Sequence, residues 1–257
     1  MRLLILCLFP ILPAIARELS TDRPDKTEST HTVPAGRVQV EAELGSFTLD
    51  CHSTDASLKR FTAWSAGALN LKYGITDRWD VQFVLPAWSE QMSRFRDGRR
   101  ERERGWSDLT VRAKWNLWGN DAGSTSGALM PFLTLPTAGG PFGAEGVEGG
   151  LIFPLALDLS ESTGIGFMLE GDVRRGGNGD TQLAGIVSLT LGHDFTDQFG
   201  GYIEWFHEWS DATWVSTLDV GLTYAITTDV QFDVGANYGL TRSADDLSIF
   251  TGLSFRF

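Results

Sequence analysis

The chain of 257 residues holds 2 cysteines, Cys7 and Cys51. Cys7 lies in the leading apolar stretch, so Cys51 would stand alone in a mature protein. That excludes an intrachain disulfide and with it a disulfide-stapled scaffold. Beyond residue 16 no apolar run approaches the roughly 18–20 residues that a membrane helix needs, which excludes a helical span. Positive charge is also scarce. Lysine and arginine number 21 against 33 aspartate and glutamate, a formal net charge of -12. So acidic a chain is no partner for nucleic acid, which attracts basic surfaces. The four histidines, His31, His52, His193 and His207, belong to no nucleophile elbow and no metal-ligand cluster. We therefore expect no catalytic residue, no metal and no cofactor. A lipase or acyltransferase is the rival enzyme class, and it would need a serine and an acid beside a histidine.

What the chain does have is pattern. Leu247, Ile249, Leu253, Phe255 and Phe257 recur at every second position of the last eleven residues, broken by Thr251. Ser248, Gly252, Ser254 and Arg256 fill most of the positions between. That is a strand with one apolar and one polar face. Ending on an aromatic, it resembles the last strand of bacterial outer-membrane barrels, whose assembly machinery reads such an end; Phe255 and Phe257 would be that signal. At the other terminus Arg2 precedes an apolar run from Leu3 to Leu12, closed by Ala14-Ile15-Ala16. This reads as a secretory signal peptide over residues 1–16, with the mature chain starting at Arg17 and its net charge moving to about -13.

Residues 17–36 are polar, contain two prolines and follow neither period, so an irregular segment is expected. After it come alternating runs: 37–49, 62–74, 79–92, 105–117, 127–135, 147–158, 163–173, 181–193, 199–209, 213–225, 229–239 and 247–257. About twelve antiparallel strands separated by turns predict an all-β transmembrane barrel over residues 37–257. A spanning strand needs only about ten residues, half of them apolar. Tight turns such as 74–78, 159–162, 194–198 and 226–228 alternate with longer loops at 50–61, 93–104, 136–146 and 174–180. Both termini then fall on the short-turn, periplasmic rim.

The alternation sorts the faces. Val230, Phe232, Val234, Ala236 and Tyr238 oppose Gln231, Asp233, Gly235 and Asn237; Leu109, Val111, Ala113 and Trp115 oppose Asp108, Thr110, Arg112 and Lys114. An isolated charge facing lipid at mid-membrane costs about 2–4 kcal/mol. The charged face therefore belongs in the lumen. Most of the nine tryptophans sit near strand ends, as two interfacial belts require: Trp64, Trp88, Trp106, Trp209 and Trp214 toward the long-loop rim, Trp79, Trp115 and Trp118 toward the other.

The chain resembles the outer-membrane transporters named after the meta-cleavage pathway of phenol degradation. The resemblance rests on Thr21-Asp22-Arg23-Pro24-Asp25 with Ser29, Val33-Pro34-Ala35-Gly36, Gln39 and Glu41. It continues through the segment from Lys72 to Arg78, Ser107-Asp108-Leu109 with Lys114, Leu135-Pro136-Thr137, the run from Asp219 to Tyr224, and the last six residues. It implies an outer-membrane barrel with a transport role and leaves the solute open, with an aromatic or hydrophobic one suggested by the family.

The residues expected to line the lumen are Glu41, Glu43, Lys72, Asp108, Arg112, Lys114, Glu170, Asp172, Glu204, Glu208, Asp219, Asp233 and Arg256. Such charges either pair across the barrel or set a field that selects solutes. Asp22, Arg23, Asp25 and Lys26 could answer those charges and make residues 17–36 a plug; the alternative is a disordered tail. Loop 136–146, rich in glycine and carrying Phe142, folds into the lumen or stays mobile. The loop 93–104 carries Arg94, Arg96, Arg99, Arg100, Arg102 and Arg104, whose forks suit phosphate and carboxylate; it is either a solvated charged loop or a site for lipopolysaccharide or an anionic solute. The expected function is a channel or transporter for a small solute, embedded in outer-membrane lipid. The alternative is a barrel without a pore, because twelve strands lie between filled and open barrels.

Overall fold

The computed structural model describes residues 17–176, 180–210 and 213–257; the predicted signal peptide lies outside the described residues. Fifteen strand segments make one antiparallel sheet: β1 (Val38–Asp50), β2 (Leu58–Ala66), β3 (Leu69–Thr76), β4 (Trp79–Leu85), β5 (Trp88–Phe95), β6 (Arg100–Trp106), β7 (Leu109–Trp118), β8 (Thr125–Leu135), β9 (Glu148–Ser160), β10 (Thr163–Arg175), β11 (Thr181–Asp194), β12 (Phe199–Ser210), β13 (Thr213–Thr227), β14 (Val230–Gly239) and β15 (Leu247–Arg256). The sheet closes where β1 pairs with β15, from Gln39↔Arg256 to Leu49↔Leu247. At the periplasmic rim Val38, the first residue of β1, and Phe257 exchange both backbone hydrogen bonds.

The fifteen segments are twelve barrel strands, because three strands are each interrupted once. The lower half of β1 pairs with β3 (Val38↔Tyr73 to Ala42↔Leu69) and its upper half with β2 (Ser46↔Ser65 to Asp50↔Phe61). Likewise β4 and β5 form one strand, and β6 and β7 the next. The interruptions have local causes. Gly67 takes a φ of 79°, a left-handed value that glycine adopts without strain. Pro86 has no N–H to give a ladder, and the Ala87 N–H beyond it donates to the Ser107 hydroxyl at 2.9 Å. With the β1 register shift between Glu43 and Gly45, these form one fault line across four neighbouring strands. Below it each strand pairs with its neighbours around the closed barrel. Above it β2, β5 and β6 continue outward as a three-stranded flap, and β6 pairs with β5 alone among the described strands.

Two expectations need correction here. The predicted strands 62–74, 79–92 and 105–117 are split, because proline and positive-φ glycine override an alternation that runs through them. The stretch 93–104 is not a loop. β5 and β6 pair from Trp88↔Trp106 to Arg94↔Arg100, and only residues 96–99 form the turn. Alternating Arg and Glu side chains make a workable ladder in water, where neither face needs to be apolar.

The outward face is apolar. Phe83, Leu189, Ile203, Leu222, Phe232 and Val234 are all exposed, while Gln82, Lys114, Glu204, Asp219 and Asp233 on the opposite face are almost wholly buried. Trp79 lies opposite Trp115, their rings stacked at 5.0 Å; Trp88 lies opposite Trp106. Nine residues separate the two pairs along each strand, about 30 Å of path and about 23 Å along the barrel axis at a tilt near 40°, which matches the apolar band of a membrane barrel.

Val234, midway along β14, tests this assignment. Val234→Arg is expected to destabilise the folded barrel in phospholipid vesicles by about 2–4 kcal/mol, against less than about 1 kcal/mol for the same change at Ile75 near the rim. Denaturant titration of both variants measures the difference.

Candidate functional site: the lumen and its N-terminal segment

Residues 20–33 run inside the barrel and touch inward-facing side chains on strands all around its wall. Asp22 is the hub. Its Oδ1 accepts from Lys114 Nζ at 2.7 Å and from the Ser29 N–H at 3.0 Å, and its Oδ2 pairs with Lys72. Its N–H donates to both Glu41 oxygens at 3.1 Å. Glu41 also pairs with Lys72 and accepts from Gln39 Nε2 at 2.9 Å. Both lysines and both carboxylates are buried, with side-chain exposures of 1–6%.

The neighbouring residues anchor in the same way. Arg23 grips Asp233 with two nitrogens, at 2.8 and 3.2 Å. Lys26 pairs with Asp219 at 3.0 Å and lies 4.3 Å from the centre of the Phe206 ring. Glu204 accepts the Lys26 and Thr27 N–H groups, both at 2.9 Å. Glu28 pairs with Arg112 at 2.6 Å. Thr30 meets Ser126 at 2.6 Å, and the Val33 N–H donates to Asp80 at 3.0 Å. Arg256 donates to the Arg17 carbonyl at 2.6 Å and pairs with Asp229. Irregular backbone is tolerated at membrane depth only where its polar groups find partners within the protein, and here side chains of the wall supply them.

Other expected lining residues do different things. Asp25 lines a periplasmic cleft of about 480 Å³ with Tyr202 and Thr190. A second cleft, of about 550 Å³, opens beside Ser20, His31 and Gln39. Glu43 accepts from the Ser65 hydroxyl at 2.5 Å. Arg174 joins Asp172 to Glu208, and Glu170 stands opposite Ile152 and Ile186. Asp108 accepts the Ala138 and Ala144 N–H groups at 2.7 and 2.6 Å. It therefore pins loop 136–147 beside the base of β6, where Phe142 packs on Gly105. Phe255 and Phe257 sit on the outer face of the closing seam, their rings 6.1 Å apart.

One part of the lumen did not register as polar alternation. Met130, Ile152, Met168, Ile186 and Phe206 point inward from five successive strands, β8 to β12, and form a buried apolar cluster with Phe132 beside it. The available signal was continuity. The run Leu151-Ile152-Phe153-Pro154-Leu155 in β9 and Ala128-Leu129-Met130 in β8 are apolar on both faces, as strands covered on both sides are. The lumen thus has a charged wall around Lys72, Lys114 and Arg112 and, starting beside it where Arg112 lies opposite Phe132, an apolar patch in which Glu170 stands between Ile152 and Ile186.

Two glycines make room for the segment. A Cβ on Gly74 would lie 2.1 Å from the Pro34 carbonyl oxygen, and one on Gly252 would lie 2.3 Å from the Arg23 guanidinium. Arg23 could swing aside; the Pro34 backbone could not without moving the segment.

Replacing Asp22 by Asn leaves Lys114 buried without its carboxylate. A loss of about 3–5 kcal/mol is expected in denaturant titration of the intact barrel, the usual consequence of stranding one partner of a buried pair. If the segment unfastens instead, a cysteine placed at Val33 in the Asp22→Asn background will react with a periplasmic-side maleimide faster than in the parent.

The fold has clear structural relatives. An outer membrane channel from Pseudomonas putida F1 aligns with a TM-score of 0.67 at 15% identity, covering 89% of this chain and 98% of that one. The NanC porin aligns with a TM-score of 0.55 at 11% identity, covering 85% and 98%. The beta domain of the Bordetella autotransporter BrkA gives 0.54 at 16% identity, covering 87% and 100%. At these identities the likeness is one of fold. No curated protein sequence is significantly similar to the chain. The sequence profile of the family described as "Putative MetA-pathway of phenol degradation" matches residues 21–257, nearly the whole described chain, and the protein belongs to that family.

Proposed function

We propose that this protein is an outer-membrane channel that passes a small apolar or aromatic solute, with residues 17–36 as its removable plug. The observation that carries the reading is the way residues 20–33 are held, inside the lumen and chiefly by ion pairs and hydrogen bonds to the wall. Ion pairs and hydrogen bonds of this kind exchange for water at modest net cost when the lumen hydrates. A plug packed by apolar side chains would not exchange so readily. Lys72 and Glu41 pair with each other as well as with the segment, so the charged wall stays partly neutralised after release. The apolar wall from Met130 to Phe206 supplies a surface on which an apolar solute loses little on leaving lipid or detergent. The family membership and the channels among the structural relatives agree with transport, and the same relatives give the barrel its outer-membrane setting.

With the plug gone, the inward carboxylates Glu204, Asp219 and Asp233 lose the partners that residues 23–27 provide, while Lys114 and Arg112 lose theirs. Inward carboxylates outnumber inward cations, so the emptied lumen attracts cations. Planar-bilayer conductance of the refolded mature chain, and of a form lacking residues 17–36, tests this. A larger, cation-preferring conductance is expected from the truncated form. Equal steady conductance in both would remove the plug from the account. Silence in both, with the barrel verified as folded, would favour a barrel without a pore.

A further inference from the structure

We propose that the outer face of the β2–β5–β6 flap binds the phosphate groups of lipopolysaccharide in the outer leaflet. Strand register sets the face in rows. The lowest row is Ala66, Trp88 and Trp106; above it stand Trp64, Glu90 and Arg104, then Thr62, Met92 and Arg102, and at the top Arg60, Arg94 and Arg100. Phe47 and Trp64, rings 4.5 Å apart, join this face to the lipid-facing surface of β1. The rows therefore rise from the outer tryptophan belt on the side of the barrel that meets lipid, away from the lumen and any solute path.

The charge on this face is one-sided. Arg60, Arg94, Arg100, Arg102 and Arg104 are all exposed, and its one carboxylate, Glu90, is taken by Arg102 at 2.6 Å. Glu101 and Glu103 alternate onto the opposite face. At the turn, the Arg99 guanidinium holds the Asp97 carboxyl below its usual range and also pairs with Glu101, so the tip is locally neutral. Arg60, Arg94 and Arg100 stand side by side on adjacent strands, about 4.8 Å apart. Like charges so placed repel, and an outside polyanion relieves the repulsion. In a chain of net charge -12, a five-arginine face is no product of overall composition.

Height selects the anion. At about 2.5 Å of axial rise per residue in a tilted strand, Arg104 stands about 5 Å above the Trp88–Trp106 row and Arg94 and Arg100 about 15 Å above it. That range begins where headgroup phosphates lie and extends into the sugars beyond. Guanidinium forks bind phosphate with two parallel bonds. A soluble anion would gain nothing from the adjoining tryptophan row, whereas a lipid fills both.

The refolded mature chain in neutral detergent can be titrated with bisphosphorylated lipid A, with dephosphorylated lipid A and with inorganic phosphate, reading native mass spectra and tryptophan emission. Bisphosphorylated lipid A is expected to bind, with affinity falling as salt rises. The other two should bind at least about tenfold more weakly, as should a variant with all five arginines changed to Gln, since several exposed pairs together exceed that factor. The double variant Arg60→Gln/Arg94→Gln gives a smaller loss and serves if the fivefold change prevents folding. Glu101→Gln/Glu103→Gln, on the opposite face, should leave binding unchanged. Equal binding of dephosphorylated lipid A or of inorganic phosphate, or indifference to the arginine changes, would overturn the proposal. So would an equal loss from the two glutamate changes.

Discussion

A bilayer offers no partner to a backbone N–H or C=O, so a sheet that crosses it must close. Everything else in this molecule follows from that closure. The β1–β15 seam removes the sheet edge. Closure then gives each strand an inside and an outside, and a period of two sends neighbouring side chains to opposite solvents. Apolar side chains go to lipid and the charges go to a narrow interior. An interior crowded with Glu41, Lys72, Lys114, Glu204, Asp219 and Asp233 needs counter-charges at close range, because burying an unpaired charge costs several kcal/mol. Some of these charges answer one another. The rest are answered by residues 17–36, whose Asp22, Arg23, Lys26 and Glu28 carry the opposite sign to the wall they face.

The segment and the wall are thus one electrostatic unit. Asp22 joins two lysines from different strands, and Glu204 ties down two consecutive N–H groups. Gly74 and Gly252 leave the space for backbone and guanidinium to approach the wall. The interior differs from a filled small barrel, where wall side chains interdigitate with one another. Here a separate stretch of chain, residues 20–33, occupies the space between the walls.

The fault line through Gly45, Gly67, Pro86 and Ser107 divides the molecule geometrically. Below it lie the lumen, the segment and the apolar wall. Above it the flap leaves lipid and becomes charged on both faces. Asp108, at the fault itself, holds the loop whose Phe142 packs on Gly105 at the base of β6.

The barrel was legible in the sequence because lipid enforces alternation strand by strand. The faces of β14 and β7, the aromatic end at Phe257 and both tryptophan belts could be read without coordinates. So could the inward position of charges such as Lys114 and Asp233, since outward placement is so costly. Alternation cannot see a break that keeps the register of faces, and so the interruptions at Gly67 and Pro86 passed unnoticed. Nor can it see an apolar residue facing inward, because Ile152 and Phe206 look like additions to the lipid face. Above all, residues 17–36 follow no period. Their charges hinted at a counterpart to the lumen, but only the closed barrel decides which partner each one meets. Asp22 with Lys72 and Lys114, and Arg23 with Asp233, are contacts between residues 50 to 210 positions apart, and they exist because ring closure brings those strands around a common axis.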